Sequence, residues 1–342
     1  MATVYKTLFE NEDVTTTRTL LHEVIPLTGS LISGSVYVND NIKNYTHGRF
    51  QSVYDYPVLS SSANHIMDLT VGVSSVTGLT VTEEQKEKSQ MYNQMAQILV
   101  GHDEDGNIRR FDSDGDLTTT DDKMDECFFF SFARLLTKDE IQKGTFSMIL
   151  GTGSAAGGVF SETITVTDAG ADSDFRINSP AGEYGILHTG STPADGNGVG
   201  LIFYQAGIAV LTSSVFIDST GVGFNETSTD LDDSLQTEDI NTICNTIRTR
   251  IDKIDFNNTI ELNSTIYFCR INHNEFNYSS NPTYLDSSKI VVKDIEQDSP
   301  VSYITSVGLY SSDNALLATA KLSEPLKKTP DNELILRVRL DY

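Results

Sequence analysis

The residues that come closest to chemistry in this sequence are three alternating aspartates in an acidic stretch. Asp112, Asp114 and Asp116 have the spacing of the first three ligands of a calcium-binding loop. Such a loop also needs a glycine at its sixth position and a bidentate glutamate at its twelfth, where this chain has Leu117 and Lys123. The stretch therefore predicts solvated acidic turns, with a weak calcium site as the alternative.

A glycine-rich segment, GTGSAAGG at Gly151–Gly158, has the composition of a phosphate-binding loop. It follows a strand-like run, as a dinucleotide-binding loop does. The residues after it, VFSETITVTD, favour a strand, so no helix N-terminus is predicted to hold a phosphate. The segment also lacks the Lys-Ser or Lys-Thr pair of a P-loop. We interpret it as a connection between strands.

Hydrolase motifs are absent from the sequence. There is no G-x-S-x-G or H-E-x-x-H, and the six histidines never stand at ligand spacing. The paired carboxylates of a glycosidase leave no signature among 48 acidic residues. The absence of tryptophan disfavours a sugar-stacking cleft, although tyrosine could substitute. We therefore expect no enzymatic activity, no catalytic residue and no cofactor.

Charge and composition exclude several partners. The chain has 48 acidic and 24 basic residues among 342, a net charge of −24. Such a surface repels phosphates, so nucleic acid and anionic membranes are not expected partners. No run approaches the ~18 apolar residues of a spanning helix, and the first residues do not resemble a signal peptide. Cys127, Cys244 and Cys269 are widely spaced and odd in number, which predicts reduced thiols without a metal or disulfide.

Two helices are predicted in the first half of the chain. In EEQKEKSQMYNQMAQILVG, acids crowd the first turn and Gly101 ends the helix. Its apolar face is predicted to hold Met91, Met95, Ile98 and Leu99. In TKDEIQKG, Thr137 and Glu140 have the spacing of a capping box, which predicts a short second helix.

A third helix is predicted to start at Thr237, a good N-cap residue. Isoleucines then recur at intervals of three and four residues, which predicts one buried stripe on one helix. The stripe consists of Ile240, Ile243, Ile247, Ile251 and Ile254.

Strand patterns fill much of the remaining chain. Glycines separate short apolar runs between Thr145 and Glu226. Near the end, ELILRVRLDY alternates, so that its leucines and Val338 share one face. SSDN at Ser311–Asn314 is predicted to be a hairpin turn between SVGLY and ALLATAKL.

These patterns predict a mainly β fold with a few helices, a β-rich α+β class. Antiparallel sheets would form sandwich-like modules, with a C-terminal antiparallel meander packed on a helix. Three regions are predicted: a mixed β and helical region at 1–144, a Gly/Ser/Thr-rich β region at 145–230, and a C-terminal helix with a β-meander at 231–342.

The end of the chain is neutral within an acidic protein. Tyr303–Tyr342 contains five acidic and five basic residues, so the excess negative charge lies entirely before it. Since uniformly acidic copies repel one another, we predict that this C-terminal module mediates assembly. The alternative is an ordinary amphipathic strand with a solvated face. The interface candidates are Gly308, Leu309, Tyr310, Arg337, Arg339, Phe276 and Tyr278.

Four stretches carry a resemblance to known proteins: SVGLYSSDNALLATAKL, EFNYSSNPTY, SVYDYPVLSSSANHIMDL and MYNQMAQILVGHD. The first is similar to a hairpin in tailed-phage proteins that attach fibres or fit into the tail. Taken with the other three, it resembles virion structural proteins of contractile-tailed cyanophages, the myoviruses of marine cyanobacteria. Together they reach from about Gln51 to Tyr342, and none is a catalytic signature.

The resemblance implies a non-enzymatic virion component of the tail, baseplate or fibre attachment, made in the host cytoplasm. The chain lacks the repetitive shaft of a fibre, which favours a compact adaptor or baseplate subunit. Its expected partners are other virion proteins and further copies of itself in a homo-oligomer. The alternative is a receptor- or carbohydrate-binding module of the tail, in which loops of Thr145–Glu226 would meet a host glycan.

Overall fold

The structure is a computed structural model, and strands dominate it. Strands make up 50% and helices 17%, in large antiparallel sheets, which confirms the predicted β-rich fold with a few helices. The structure describes residues 5–28, 39–78, 81–117, 122–151, 155–156, 159–160, 162–190, 198–216, 235, 238–278, 285–286, 289–290, 297 and 300–342.

The helices and strands of these residues are numbered in chain order. The helices are α1 (Glu10–Asp13), α2 (Glu83–Leu99), α3 (Arg134–Thr137) and α4 (Ile240–Arg250). The strands of the first half are β1 (Val14–Thr28), β2 (Ile42–Asn44), β3 (Gln51–Tyr54), β4 (His65–Val73), β5 (Phe111–Asp112), β6 (Lys123–Met124), β7 (Glu126–Phe132), β8 (Glu140–Ile141), β9 (Ser147–Gly151), β10 (Ala155–Ala156) and β11 (Val159–Phe160). The strands of the second half are β12 (Thr163–Thr167), β13 (Arg176–Ser179), β14 (Gly182–Thr189), β15 (Gly198–Phe203), β16 (Ile208–Thr212), β17 (Ile251–Ile271), β18 (Leu285–Asp286), β19 (Lys289–Ile290), β20 (Ser302–Tyr310), β21 (Leu316–Lys328) and β22 (Leu334–Asp341).

The chain forms two compact units. Unit 1 comprises Met1–Leu20 and Glu261–Tyr342, and unit 2 comprises Leu21–Ile260. Both junctions fall inside strands, β1 and β17. The sequence predicted boundaries after residues 144 and 230, and both of those positions lie inside unit 2. The structure therefore divides the chain differently.

Unit 2 is built on an antiparallel sheet with β7 near its middle. The strand order is β9-β12-β14-β15-β16-β7-β4-β3-β2. Along β7, Phe128 and Phe130 belong to one apolar cluster, while Cys127 and Phe129 belong to another. Because successive side chains of a strand point to opposite faces, both faces of this strand are buried.

A helix contributes to each cluster. Tyr92, Ala96 and Leu99 of α2 lie in the cluster that contains Phe129, whereas the isoleucines of α4 lie in the cluster that contains Phe128. The backbone of α2 approaches β4 closely at Gly72, where an added Cβ would lie 2.8 Å from the Cα of Tyr92. A glycine is required there.

The boundaries of α2 follow its predicted signals. Thr82 and Gln85 form a capping box, and Glu83 and Glu84 occupy the first turn. After the helix, Gly101 takes a positive φ of 76°. The prediction of this helix and its end is confirmed, but the predicted apolar face was wrong for Ile98, whose side chain is 63% exposed.

The isoleucine helix is shorter than predicted. Asp239 caps it by accepting a hydrogen bond from the N–H of Thr242 (3.2 Å), and Thr237 lies outside the described residues. The helix ends at Arg250, so the prediction was wrong for Ile251 and Ile254, which belong to β17. Both residues are still buried in the same cluster as the isoleucines of α4, but they lie in a strand that pairs with β9 instead of in the helix.

The predicted helix at TKDEIQKG does not form. Thr137 ends α3, and Glu140 and Ile141 form β8, which pairs with β17. The N–H of Ile141 also donates to the carbonyl of Tyr204 (3.1 Å), and its side chain is fully buried. Tertiary pairing therefore overrides the local capping signal.

Unit 1 contains long strands. β22 pairs antiparallel with the second half of β17, while β20 and β21 pair only with each other among the described strands. The predicted turn is confirmed, since the N–H of Asn314 donates to the carbonyl of Ser311 (3.0 Å). The predicted meander is split, because β22 pairs with β17 and not with the hairpin. Within the described ranges, no helix combines the length and the apolar composition needed to cross a bilayer.

Asp168 is a buried carboxylate that fixes a turn of unit 2. It accepts hydrogen bonds from the N–H groups of Gly144 (2.8 Å) and Phe146 (2.9 Å) and from the hydroxyl of Tyr204 (3.0 Å). Burial raises the pKa of Asp168 to about 6 in spite of these three donors. The carboxylate therefore joins the residues just before β9 to Tyr204, which follows β15.

We expect Asp168→Ala to lower the free energy of unfolding by about 3 kcal/mol, because three buried donors lose their acceptor. Tyr204→Phe removes one of these bonds and should cost about 1 kcal/mol. Urea denaturation followed by circular dichroism measures both. Equal losses in the two variants would contradict the shared role of the carboxylate.

The same carboxylate predicts a pH dependence. Because the folded-state pKa lies above the ordinary 3.8, the folded chain binds this proton more tightly than the unfolded chain. The unfolding free energy of the wild type relative to Asp168→Asn should therefore fall as pH rises from about 4 to about 6, and then stay level. A difference that does not change with pH would contradict the desolvation of Asp168.

Candidate functional site

The predicted interface residues lie on two sheets of unit 1. Gly308, Leu309 and Tyr310 belong to β20 of the hairpin, whereas Arg337 and Arg339 belong to β22 beside β17. The structure therefore does not bring the hairpin residues and the arginines together in one sheet.

One face of the hairpin carries exposed aromatic and aliphatic side chains. The ring of Tyr310 and the side chain of Leu316 lie over Gly308, where an added Cβ would be 3.0 and 3.3 Å from them. Tyr5 packs edge-on against Tyr310, with 5.1 Å between ring centroids. Tyr5, Tyr310 and Leu316 remain 53%, 46% and 55% exposed. We name Tyr5, Gly308, Tyr310 and Leu316 the tyrosine face.

The two arginines of β22 differ in their contacts. Arg339 donates to Asp341 (2.7 Å) and to the hydroxyl of Ser264 (3.0 Å). Arg337 lies opposite Phe268 in the ladder and is exposed. Within the described residues it makes no hydrogen bond or ion pair. Arg337 is thus the arginine of this strand whose guanidinium is available to another molecule.

Phe276 and Tyr278 follow β17, at the root of the hairpin. Phe276 takes a positive φ of 51°, and its carbonyl accepts a hydrogen bond from Ser302. Tyr278 is 42% exposed. Phe276 therefore helps to fix the root, while Tyr278 faces solvent.

A buried lysine, which the sequence reasoning missed, closes this root. The ammonium of Lys328 donates to the carbonyls of His273 (3.0 Å) and Thr329 (2.8 Å) and to the side-chain oxygen of Asn277 (2.7 Å). Desolvation lowers the pKa of Lys328. Nothing in the sequence distinguishes it from its exposed neighbour Lys327, because burial depends on where the strand ends.

Unit 1 lacks an apolar core among its described residues. The two apolar clusters that the described residues form consist of residues of unit 2. The buried apolar side chains among the described residues of unit 1 are Ile271 and Val301, and neither belongs to a cluster. The long strands of unit 1 therefore expose apolar side chains that a complete fold would cover.

The acidic turn is more buried than the sequence predicted. Asp112 is fully buried and forms an ion pair with Lys123. Burial raises the pKa of Asp112 to about 6, against the effect of this ion pair. Single carboxylate oxygens of Asp112, Asp114 and Asp116 lie within 4.8 Å of one another.

The turn keeps part of the backbone path of a calcium loop. Leu117 takes a positive φ of 59°, the conformation for which such a loop uses glycine. The ammonium of Lys123, however, already neutralises Asp112 and would repel a divalent cation. Residues 118–121, which complete the loop, lie outside the described residues. The turn is therefore better explained as a structural ion pair than as a calcium site.

A cleft of about 500 Å³ lies in unit 2, where the sequence analysis placed no site. It lies between the loop 45–50 and α2. The residues of α2 that line it share one face of the helix. The volume is in the range of small-ligand pockets. The lining residues are Thr46, His47, Arg49, Phe50, Glu87, Met91 and Gln94.

The loop beside this cleft is fixed by its own contacts. Gly48 takes a positive φ of 66°, and its N–H donates to the carbonyl of Tyr45 (2.9 Å). The rings of Tyr45 and His47 stack with 5.3 Å between centroids, and the N–H of Arg49 donates to the Nδ1 of His47 (3.1 Å). Arg49 also donates to Gln90 of α2 (3.2 Å). The cleft is therefore largely preformed.

A serine, an aspartate and a histidine meet near this loop. The Nε2 of His65 forms a hydrogen bond to Asp68 (2.8 Å), and Ser52 donates to the same carboxylate oxygen. The hydrogen bond to Asp68 raises the pKa of His65. Activation of a serine requires the histidine on the hydroxyl, but here the carboxylate lies between them. The arrangement does not provide a nucleophile.

Comparisons with protein-family models, curated proteins and solved structures found no match.

The buried ion pair of the acidic turn is testable by a double-mutant cycle. Lys123→Met should lower the free energy of unfolding by about 3–5 kcal/mol, because it leaves Asp112 buried and unpaired. Adding Asp112→Asn should restore much of this loss. Urea denaturation at pH 7 measures each variant. If millimolar calcium stabilised the wild type, the turn would bind a cation and this interpretation would be wrong.

Proposed function

We propose that this chain is a non-enzymatic structural component of a tailed-phage virion, which assembles through contacts between proteins. Its place would be the tail, baseplate or fibre attachment, where it would act as a compact adaptor. The observation that supports the proposal is that the apolar clusters of the described residues lie in unit 2, whereas the described residues of unit 1 form none. A unit whose long strands bury almost no apolar side chain is completed by binding to another protein surface.

The charge distribution supports the same role. Unit 1 contains 14 acidic and 10 basic residues, a net charge of −4, whereas unit 2 contains 34 and 14, a net charge of −20. Protein surfaces of high like charge repel at short range. The unit whose described residues form no apolar cluster is thus also the unit that meets less repulsion on approach to another acidic subunit.

The proposal is tested first by location. Phage particles purified by density gradient from lysates of infected host cells should contain the chain at a fixed ratio to the other virion proteins. Quantitative mass spectrometry measures this ratio. A chain found only outside particles, or one that turns over a substrate with saturable kinetics, would overturn the proposal.

Incorporation should depend on Arg337. We expect Arg337→Glu to lower the copy number per particle at least about tenfold, because a like charge at an interface costs several kcal/mol. Arg337 is preferable to Arg339, which already has partners in its own chain. Lys86→Glu is the matched control, since Lys86 lies exposed on α2 of unit 2. Equal copy numbers for Arg337→Glu and the wild type would exclude β22 as a docking strand.

A second candidate function, binding of a host glycan, is favoured by the cleft beside α2. Its preformed loop offers planar polar groups on Arg49 and His47, and its lining includes the ring of Phe50. Such a combination of hydrogen-bonding groups and an aromatic surface suits a saccharide. Glu87 faces the cleft without a hydrogen bond to the described residues, so its carboxylate is available to hydroxyl groups.

If the cleft binds glycan, Glu87→Gln should weaken binding to host lipopolysaccharide about tenfold, through the loss of a charge-assisted hydrogen bond. Surface plasmon resonance with immobilised lipopolysaccharide measures the affinity. Glu83→Gln, one helical turn away and outside the cleft, should have no effect. Absence of binding by the wild type would remove this second candidate.

A further inference from the structure

The pair of Asp112 and Lys123 is the most buried pair of a lysine and a carboxylate among the described residues. The side chain of Asp112 is fully buried, and that of Lys123 is 9% exposed. In the other lysine–carboxylate pairs of these residues, both side chains are at least 18% exposed. Water is therefore excluded from this pair more completely than from the others.

Two short strands hold these side chains against each other. Asp112 of β5 lies directly opposite Lys123 of β6 in the antiparallel register. Beside them, the N–H of Ser113 donates to the carbonyl of Asp122 (3.0 Å). Since directly opposite side chains leave the two strands on the same face, the backbone keeps this pair together. The nitrogen of Lys123 contacts a carboxylate oxygen of Asp112.

The partner of Lys123 differs from those of other buried lysines. Lys88 and Lys328 donate to backbone carbonyls, and Lys328 also donates to the side-chain amide of Asn277. Within the described residues, the nitrogen of Lys123 has Asp112 as its hydrogen-bond partner. An amine can condense with a neutral carboxyl group far more readily than with a backbone amide. Lys123 is thus the buried lysine that has a reactive group in contact.

The surroundings of the pair are apolar and include a further carboxyl group. Phe111 and Met124, its neighbours along the two strands, belong to the apolar cluster that contains Phe129. The carboxyl of Asp114 lies within hydrogen-bonding reach of that of Asp112. Burial raises the pKa of Asp112 to about 6, so its neutral acid is accessible near neutral pH. An apolar site also favours proton transfer within the ion pair, which leaves a neutral amine beside a neutral acid.

We propose that Lys123 and Asp112 condense to an isopeptide bond, which closes the segment 112–123 into a covalent ring. The neutral Nζ of Lys123 attacks the Cγ of Asp112, so that a C–N bond forms and a C–O bond breaks. Asp114 passes the proton of the attacking nitrogen to the leaving hydroxyl, which departs as water. No oxidant or other reactant is consumed. The ion pair described above is the unlinked state from which this bond forms.

The geometry supplies the conditions that this reaction needs. Groups held in contact react as if at effective concentrations of about 10⁵–10⁸ M. A positioned carboxyl group that transfers the proton contributes a further factor of about 10²–10⁴. Exclusion of water from the site protects the bond from hydrolysis. The inference goes beyond the proposed function and does not depend on it, because both reactants belong to one chain.

Mass spectrometry of the wild type tests the bond directly. The intact chain should be lighter by one water molecule than the 37.6 kDa of its sequence. After trypsin digestion, cleavage after Lys123 should be blocked, so that residues 111–134 form one peptide that lacks one water molecule. A full intact mass, or separate peptides 111–123 and 124–134, would overturn the inference.

A matched variant separates this bond from another loss of water. Lys123→Arg keeps the positive charge, but its guanidinium stays protonated and cannot attack, so this variant should retain the full mass. A succinimide formed by Asp114 and Gly115 would also lose water, but it would persist in Lys123→Arg and would overturn the inference. Circular dichroism checks that the variant folds. If it does not fold, the position of the water loss in the wild-type peptide decides between the two products.

The role of Asp114 is tested by the rate of water loss. The chain is made by cell-free translation, and samples are quenched in acid at intervals. Asp114→Asn should slow the loss of water at least about 100-fold, because the amide cannot carry the proton. An unchanged rate would overturn this role of Asp114.

Discussion

The burial of one strand on both of its faces is the constraint on which the fold of unit 2 depends. Phe128, Phe129 and Phe130 of β7 are buried in succession, and Phe132 follows. Each fully buried phenylalanine contributes about 1.5–3 kcal/mol relative to an exposed one. A strand with two apolar faces needs a neighbour on each edge and a cover on each side. In unit 2, β4 and β16 pair with the two edges of β7, and residues of α2 and α4 help to cover its two faces.

Buried charges in unit 2 tie its loops to this core, since each has specific partners. Lys88 of α2 donates to the carbonyls of Leu235 (2.6 Å) and Glu238, and desolvation lowers its pKa. Asp168 joins the residues just before β9 to Tyr204, and Lys123 pairs with Asp112. Because a buried charge without a partner is strongly unfavourable, these contacts specify where each loop lies.

Capping and turn residues correctly predicted the elements whose ends depend on the sequence close to them. The end of α2 before Gly101 and the turn at Ser311–Asn314 could be predicted, because a positive φ or a tight turn restricts the residue types there. Thr137 carried an equally good capping signal, yet Ile141 pairs with β17 and no helix forms. Pairing of distant strands has no local signature, so the partner of β22 could not be predicted either.

The candidate sites were predictable to different degrees for the same reason. Arg337 is visible in the sequence because strand alternation places it on the polar face of β22. The cleft is not visible, because it joins His47 of a loop to Glu87 of a helix, which are brought together only by the packing of α2. The burial of Asp112 likewise depends on Lys123, which sequence reasoning considered only as a replaced calcium ligand.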